Sequence, residues 1–200
     1  MKPKTKRESS SPLERLAVFS DTHGNRKTML SAIRLTGPYT RIIHLGDGVL
    51  NGKEVAEDLT LPFTGIAGNE DYGNTYKEKE ILEIHGFRFL LMHGHQLRIN
   101  AYMKPSEWEK RFNSMSDAAR FDQCDAFLFG HSHLAALEKI KGIILCNPGD
   151  QYRGSTLPHS FAAVDIFSDS FSVTLMKHAD NNTWQSSRKE VKAAREHKAP

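Results

Sequence analysis

Residues 16–25 read LAVFSDTHGN, and this stretch decides the fold. Residues 16–19 form a four-residue apolar run of the kind that makes a buried strand, and it stops at a Ser-Asp-Thr-His-Gly turn. Asn25 then stands where a helix N-cap belongs, ahead of Met29, Leu30 and Ile33 at helical spacing, and Gly37-Pro38 ends that helix. Strand, glycine-bearing loop and helix recur outward from here. Residues 41–45 are the next predicted strand, broken by Gly46-Asp47-Gly48, with Asn51 as the expected cap of a helix through Val55 and Leu59. Residues 64–67 form a third strand ending at Gly68-Asn69, and residues 81–85 and 87–92 flank Gly86 as a hairpin. A helix follows Pro105, with Ser106 and Glu109 at capping-box spacing and Trp108, Phe112 and Met115 on one face. Residues 125–129 are a strand running into Gly-His-Ser-His, and hairpins are expected around Gly142 and around residues 168–170. The alternation predicts an α/β domain whose later strands form a second sheet or an extension of the first.

Length and composition agree with one domain and exclude several classes. A chain of 200 residues with 38% apolar and 26% charged residues is sized for a single core. Its longest apolar runs are far short of the about 20 residues that a membrane-spanning helix needs. The first fifteen residues are basic but carry no apolar stretch, so no secretory signal is expected, and two cysteines, Cys124 and Cys146, make no disulfide framework. These features point to a reducing, cytoplasmic setting and to no membrane partner. The net charge of +3 sits at the ends. Residues 1–15 carry five Lys/Arg against two Asp/Glu and residues 177–200 six against three, which leaves a mildly acidic body. The domain is expected over 15–177, with 1–14 and 178–200 as poorly ordered polar tails. No basic-aromatic patch in the body predicts specific nucleic-acid binding.

Five segments share one feature: an apolar strand ends and metal-type ligands follow at once. They are Asp21-Thr22-His23, Gly46-Asp47, Gly68-Asn69, His93-Gly94-His95 and Gly130-His131-Ser132-His133. Loops beyond the strand ends of an open α/β sheet converge on one crevice. Five of them supplying carboxylate, amide and imidazole donors, and no thiolate, suit a site for Mn, Fe, Zn or Ni. A lone Asp-x-His is usually a surface turn; all five together are not coincidence.

The order SDTHGN, HLGDG, GNED, MHGH, GHSH and NPG closely resembles the calcineurin-like metallophosphoesterases, and within them the small YfcE-like phosphodiesterase branch. The resemblance covers roughly residues 15–177. It implies a four-layer α/β/β/α sandwich with a two-metal site at the strand ends. Position by position, it implies Asp21, His23 and His133 as ligands of one divalent metal, Asn69, His93 and His131 as ligands of the other, and Asp47 as the bridge. It implies Mn2+ as the metal, with Ni2+, Fe2+ or Zn2+ as substitutes, and a bridging hydroxide attacking phosphorus in line. Asp47, Asn69 and His95 would serve catalysis, and Asn69, His95 and Arg153 would meet a small-molecule phosphoester. Self-association is left open. One departure stands out: many relatives carry a His after the Gly-Asn, a candidate acid for the leaving alcohol, where this chain has Glu70. Glu70 is expected to face solvent, and Asp71 keeps the acidic position that orients that His in relatives. A non-catalytic scaffold on the same fold, and a phosphoprotein phosphatase, are the competing readings. His44 is expected to be packed behind the site, Cys124 and Cys146 to be core residues, and His85, His159, His178 and His197 to be on the surface.

Overall fold

The structure is a computed structural model that describes residues 11–179, 182–188 and 191–194. Strand β1 (Glu14–Phe19) passes through the Asp21 loop into helix α1 (Arg26–Thr36), followed by β2 (Arg41–His44), α2 (Val49–Asp58) and β3 (Phe63–Gly65). β1, β2 and β3 pair in parallel, so their C-terminal ends open on the same side. β4 (Lys79–Ile84) and β5 (Phe87–Met92) form the expected hairpin and begin a second sheet. After a short 3-10 turn at His95–Leu97, helix α3 (Pro105–Phe121) returns the chain to β6 (Ala126–Leu128), parallel to β5. β7 (Ala136–Ile140) and β8 (Ile143–Asn147) complete that five-stranded sheet in the order β4-β5-β6-β8-β7. β9 (Ser160–Ile166), β10 (Ser170–Ala179), β11 (Thr183–Ser186) and β12 (Val191–Ala194) go back to the first sheet. Its order is β11-β10-β9-β1-β2-β3, with β12 also paired to β10.

The buried side chains sort into three apolar layers, which is what makes four layers of backbone. Leu16, Val18, Ile43 and Leu45 point from the first sheet into Phe89, Leu91 and Leu128 of the second. The alternate residues Ala17, Phe19 and Ile42 face Met29 and Val55 of the two helices outside. Leu90, Phe127 and Leu145 face Met115 and Ala119 of α3 on the opposite flank. Central strands covered on both faces must be apolar throughout, which is why the sequence shows runs there and not alternation. The α/β/β/α sandwich expected from the sequence is the fold.

Three local expectations are corrected. Helix α2 begins at Val49 with Gly48 in the cap position, and Asn51 lies inside it, accepting from the Gly24 N–H at 3.0 Å. At α3 the capping carboxylate is Glu107, whose Oε2 accepts from the Lys104 N–H at 2.7 Å; Ser106 and Glu109 do not form the pair. The C-terminal segment expected as a tail from residue 178 instead runs on in β10 and adds β11 and β12 to the sheet edge. Its one large apolar residue, Trp184, is buried edge-on against Phe161 with ring centroids 5.1 Å apart. A single ring of that size anchors a strand whose other side chains are polar. Residues 1–10 and 195–200, also expected as tails, lie outside the described residues, as does His197.

Candidate metal centre

Asp21 follows β1, Asp47 follows β2, Asn69 follows β3, His93 follows β5, and His131 and His133 follow β6, so both sheets deliver their loops to one place. One ligand atom from each of Asp21, His23 and His133 falls within 4.8 Å of the others, and so it does for Asp47, His93 and His131. A third such group joins His23, Asp47 and Glu70, so Asp47 belongs to two groups. His93 Nε2 stands 3.2 Å from Asp47 Oδ2 and 3.9 Å from Asp21 Oδ1, and His133 Nε2 stands 3.4 Å from Asp21 Oδ1.

The backbone is bent to make this possible. Asp21, His23, Asp47, His131 and His133 all hold left-handed φ values, between +42° and +67°. Non-glycine residues visit that region rarely, and their clustering at one spot marks a site where geometry is imposed by the surroundings. Gly68 has a different duty: a Cβ there would fall on Asp47 Oδ1, so only glycine lets the β3 loop close on that carboxylate.

Five of the donors are aimed by a partner behind them. His93 Nδ1 donates to the Leu45 carbonyl at 2.7 Å, which turns Nε2 inward. His133 Nδ1 pairs with the buried Asp150 carboxylate at 2.8 Å, and His23 Nδ1 with Glu70 Oε2 at 3.1 Å, with the same result. Asp21 Oδ2 accepts from the His131 N–H at 2.9 Å and Asp47 Oδ1 from the Glu70 N–H at 2.8 Å, leaving one oxygen of each carboxylate for the cluster. Asp21 Oδ1, His23 Nε2 and Asn69 Oδ1 are buried with no hydrogen-bond partner, and His93 Nε2 has only the Asp47 carboxylate at 3.2 Å. Buried orphans of this kind are rare in proteins, and converging oxygens and imidazole nitrogens fit divalent cations.

The charges balance only in part. Burial pushes the Asp21 carboxyl up, against the pull of His93 and His133. Burial also opposes ionisation of Asp47, but the His93 hydrogen bond and charge and the Glu70 N–H overcome it and bring it to about 2. Burial works against the His93 proton as well, and Asp47 and Asp21 hold it on, so its pKa is raised. The Asp150 hydrogen bond raises His133. His131 is pushed down to about 4, first by burial and then by the charge of His93, so its lone pair is free at neutral pH.

Not every expected residue joins the cluster. His95 stands at its rim, ring centroids 5.6 Å from His93 and 6.1 Å from His131, with Nε2 turned to Glu78 Oε2 at 3.9 Å. Arg153 lines a separate cavity behind the loop that carries Tyr152. Glu70 does not simply face solvent: its side chain is 58% exposed, but the carboxylate reaches back to His23. Asp71 holds no histidine. Its Oδ2 accepts from the N–H groups of Asp47 (2.7 Å) and Gly68 (2.8 Å), and its Oδ1 from those of Gly48 (2.8 Å) and Val49 (3.1 Å). It thereby caps α2 and ties the β2 loop to the β3 loop. Asp150 went unnoticed in the sequence, where it reads as the end of a Pro-Gly turn; an acidic residue shortly after a His-x-His was the available signal. His44 is buried as expected, with Nδ1 accepting from the Gly46 N–H at 3.2 Å and Nε2 bonded to Thr22 Oγ1 at 3.0 Å. Cys124 and Cys146 are buried free thiols.

A four-layer sandwich with two sets of carboxylate and imidazole donors at its strand ends defines a class of metal-binding hydrolase folds. Residues 15–169 match the calcineurin-like phosphoesterase superfamily domain, and the chain belongs to that family. It is 34% identical over 137 residues to a probable metallophosphoesterase of Mycoplasma pneumoniae, a match covering 68% of this chain and 79% of the relative. In fold it is similar to a conserved protein of Streptococcus pneumoniae TIGR4 described as a predicted phosphoesterase (TM-score 0.67, 22% identity, 91% of this chain and 98% of that one). It is likewise similar to Vacuolar Protein Sorting 29 of Cryptosporidium parvum (TM-score 0.70, 17% identity, 91% and 98% covered). No described helix is long and apolar enough to cross a membrane.

Proposed function

We propose that this chain is a metal-dependent phosphodiesterase that holds two divalent cations, Mn2+ in the cell, and hydrolyses a small-molecule phosphoester in the cytoplasm. The observation that carries the reading is the pair of three-residue donor groups, Asp21-His23-His133 and Asp47-His93-His131, linked by a third that joins His23 of one to Asp47 of the other, with Asp21 Oδ1 and His23 Nε2 buried and unpartnered between them. When bound, the two cations supply a water acidic enough to ionise near neutral pH and positive charge against the phosphoryl oxygens. The residues do the rest. Asp21, His23 and His133 would hold one cation and Asn69, His93 and His131 the other, with Asp47 as the carboxylate between the two groups. Leu45 O, Asp150 and Glu70 keep His93, His133 and His23 in the tautomer that presents Nε2. Asp47 and Asp150 raise the proton affinity of His93 and His133, so protons would compete with a cation for these two imidazoles. His95, at the rim beside His131, is placed to donate to a phosphate oxygen. Glu70 spends its carboxylate on His23 and is a poor acid for the leaving alcohol, which favours substrates whose leaving group departs unprotonated, aryl diesters among them.

The likeness to Vacuolar Protein Sorting 29 favours a second reading, a binding scaffold on the same fold. The complete donor set supports the hydrolase reading, and because a Vacuolar Protein Sorting 29 of Entamoeba histolytica has been solved with zinc, turnover and not metal binding alone decides between the two. Reconstitution with manganese, metal analysis, and rates on bis(p-nitrophenyl) phosphate and p-nitrophenyl phosphate separate the two. Near two equivalents per chain and faster diester hydrolysis are expected; a folded protein with one equivalent or none, and no turnover, refutes the proposal.

A further inference from the structure

Behind the Tyr152 loop lies a cavity of about 720 Å³, a size suited to a small ligand, which none of the proposed metal ligands lines. Four of its residues are basic: Lys27 on the first turn of α1, Arg153, His159 just before β9, and His178 near the end of β10. Thr28 and Ser31 add hydroxyl groups, and no acidic residue lines it among those described. Lys27 and Arg153 form no ion pair among the described residues, whereas Arg26 beside them is held by Glu54 and Asp58. His159 Nδ1 is buried without a hydrogen-bond partner. The first turn of α1 carries no acidic residue, so the positive end of the helix adds to the same field. Burial lowers the His159 pKa, and the Asp150 carboxylate that opposes this is already engaged by His133. Two fixed cations, Lys27 and Arg153, in a concavity without counter-charge favour an anion joining them, and the two imidazoles offer N–H donors beside them.

We propose that this cavity is a second anion site, one that takes a phosphate group other than the group seated at the metal centre. The two sites share a wall. The Tyr152 ring lies edge-on to His23 with centroids 5.1 Å apart, Arg153 follows it on the cavity side, and Asn25 Nδ2 donates to the Gln151 carbonyl at 2.7 Å. Asn25 itself lines the cavity and stands two residues from His23. The space exceeds what a bare phosphate fills, which favours an organic phosphate; free phosphate offers the same chemistry, and the two sources call for separate measurements. The site stands on its own observations; only the kinetic arm of the test rests on the phosphodiesterase reading.

The zinc-loaded full chain, which is diamagnetic, is titrated with inorganic phosphate while the histidine side-chain signals are followed by NMR. His159 and His178 are expected to shift and saturate, and the double variant Lys27→Glu, Arg153→Gln is expected to weaken that binding by about tenfold or more. A chain whose His93 and His131 signals move while His159 and His178 stay still has no second site, and the phosphodiesterase reading survives. The reverse pattern upholds the second site and counts against that reading. The kinetic arm compares the p-nitrophenyl diester of thymidine 5′-phosphate with the same compound bearing a 3′-phosphate. A preference for the second compound that the double variant abolishes assigns the anion to the substrate. No preference, with the phosphate shifts intact, assigns it to free phosphate. Absence of both the shifts and the preference overturns the proposal.

Discussion

Asp71→Asn is the substitution that most directly tests how the site is built. The carboxylate accepts four backbone N–H groups, two on each oxygen, at 2.7 to 3.1 Å. Asparagine keeps one acceptor oxygen and turns an amide NH2 toward the other pair, so two N–H groups lose their partner and face donors. Hydrogen bonds to a charged group are worth about 1.5–3 kcal/mol each, and stranding a buried donor costs a similar amount. Asp71 is only half-buried, so water relieves part of this, and the expected loss is about 3–5 kcal/mol. In a domain of this size that is a fall in Tm of roughly 10 °C or more. Because Asp47 N–H is one of the four, the loop carrying Asp47 loosens as well, and manganese affinity falls along with stability. Differential scanning calorimetry of the metal-free and metal-loaded protein reads both effects. A variant that melts within about 2 °C of the parent and binds manganese equally well would show that the four contacts carry little of the structure's stability.

Asp150→Asn weakens the grip on His133 Nδ1 and should lower metal affinity by about 10- to 100-fold, measured by calorimetric titration; unchanged affinity removes Asp150 from the site. Glu70→Gln keeps an acceptor for His23 and should leave metal affinity within about threefold, while Glu70→Ala should cost about tenfold, the low end expected of an exposed partner. A loss in Glu70→Gln confined to poor leaving groups would make Glu70 the acid after all. Gly68→Ala places a Cβ on Asp47 Oδ1 and should destabilise by about 1–3 kcal/mol, more than Gly142→Ala, where the Cβ meets open space and only the left-handed backbone objects. His44 is held neutral by burial, its pKa dropping from 6.5 to about 4. The unfolded chain takes that proton first as pH falls, so the stability His44 confers is whole above about 6.5 and is lost on the way down to about 4. The contribution is about 3 kcal/mol, and urea unfolding of the metal-free protein should show a shallower pH slope in His44→Gln.

The site was legible in the sequence because each of its parts is local: an apolar run, then a donor, five times over. Helix α1 was legible for the same reason, with Asn25 accepting from the Thr28 N–H at one end and Gly37 at the other. What was missed depends on distant partners. Asn51 reads as the cap of α2 because Asn is a favoured capping residue, and the acceptor that the fold supplies, Asp71, is more than twenty residues away. Asp150 reads as turn chemistry until the fold carries it to His133. The return of β9 and β10 to the first sheet is likewise invisible in an apolar pattern, which says that a strand is buried but not which strand lies beside it. Charge-rich composition hid β11, whose burial rests on Trp184 alone among its four residues.

The left-handed loops have a consequence for how such a chain drifts. Asp21, His23, Asp47, His131 and His133 sit in a backbone conformation that glycine would occupy with less strain, by about 1 kcal/mol at each position. Stability alone therefore selects against all five, and only the need for their side chains keeps them. In a lineage that no longer requires these side chains, these positions are free to decay toward glycine, with a gain in melting temperature wherever the strain relieved exceeds the hydrogen bonds lost. A stabilisation campaign guided by folding energy would take the same route and would disarm the protein while appearing to improve it.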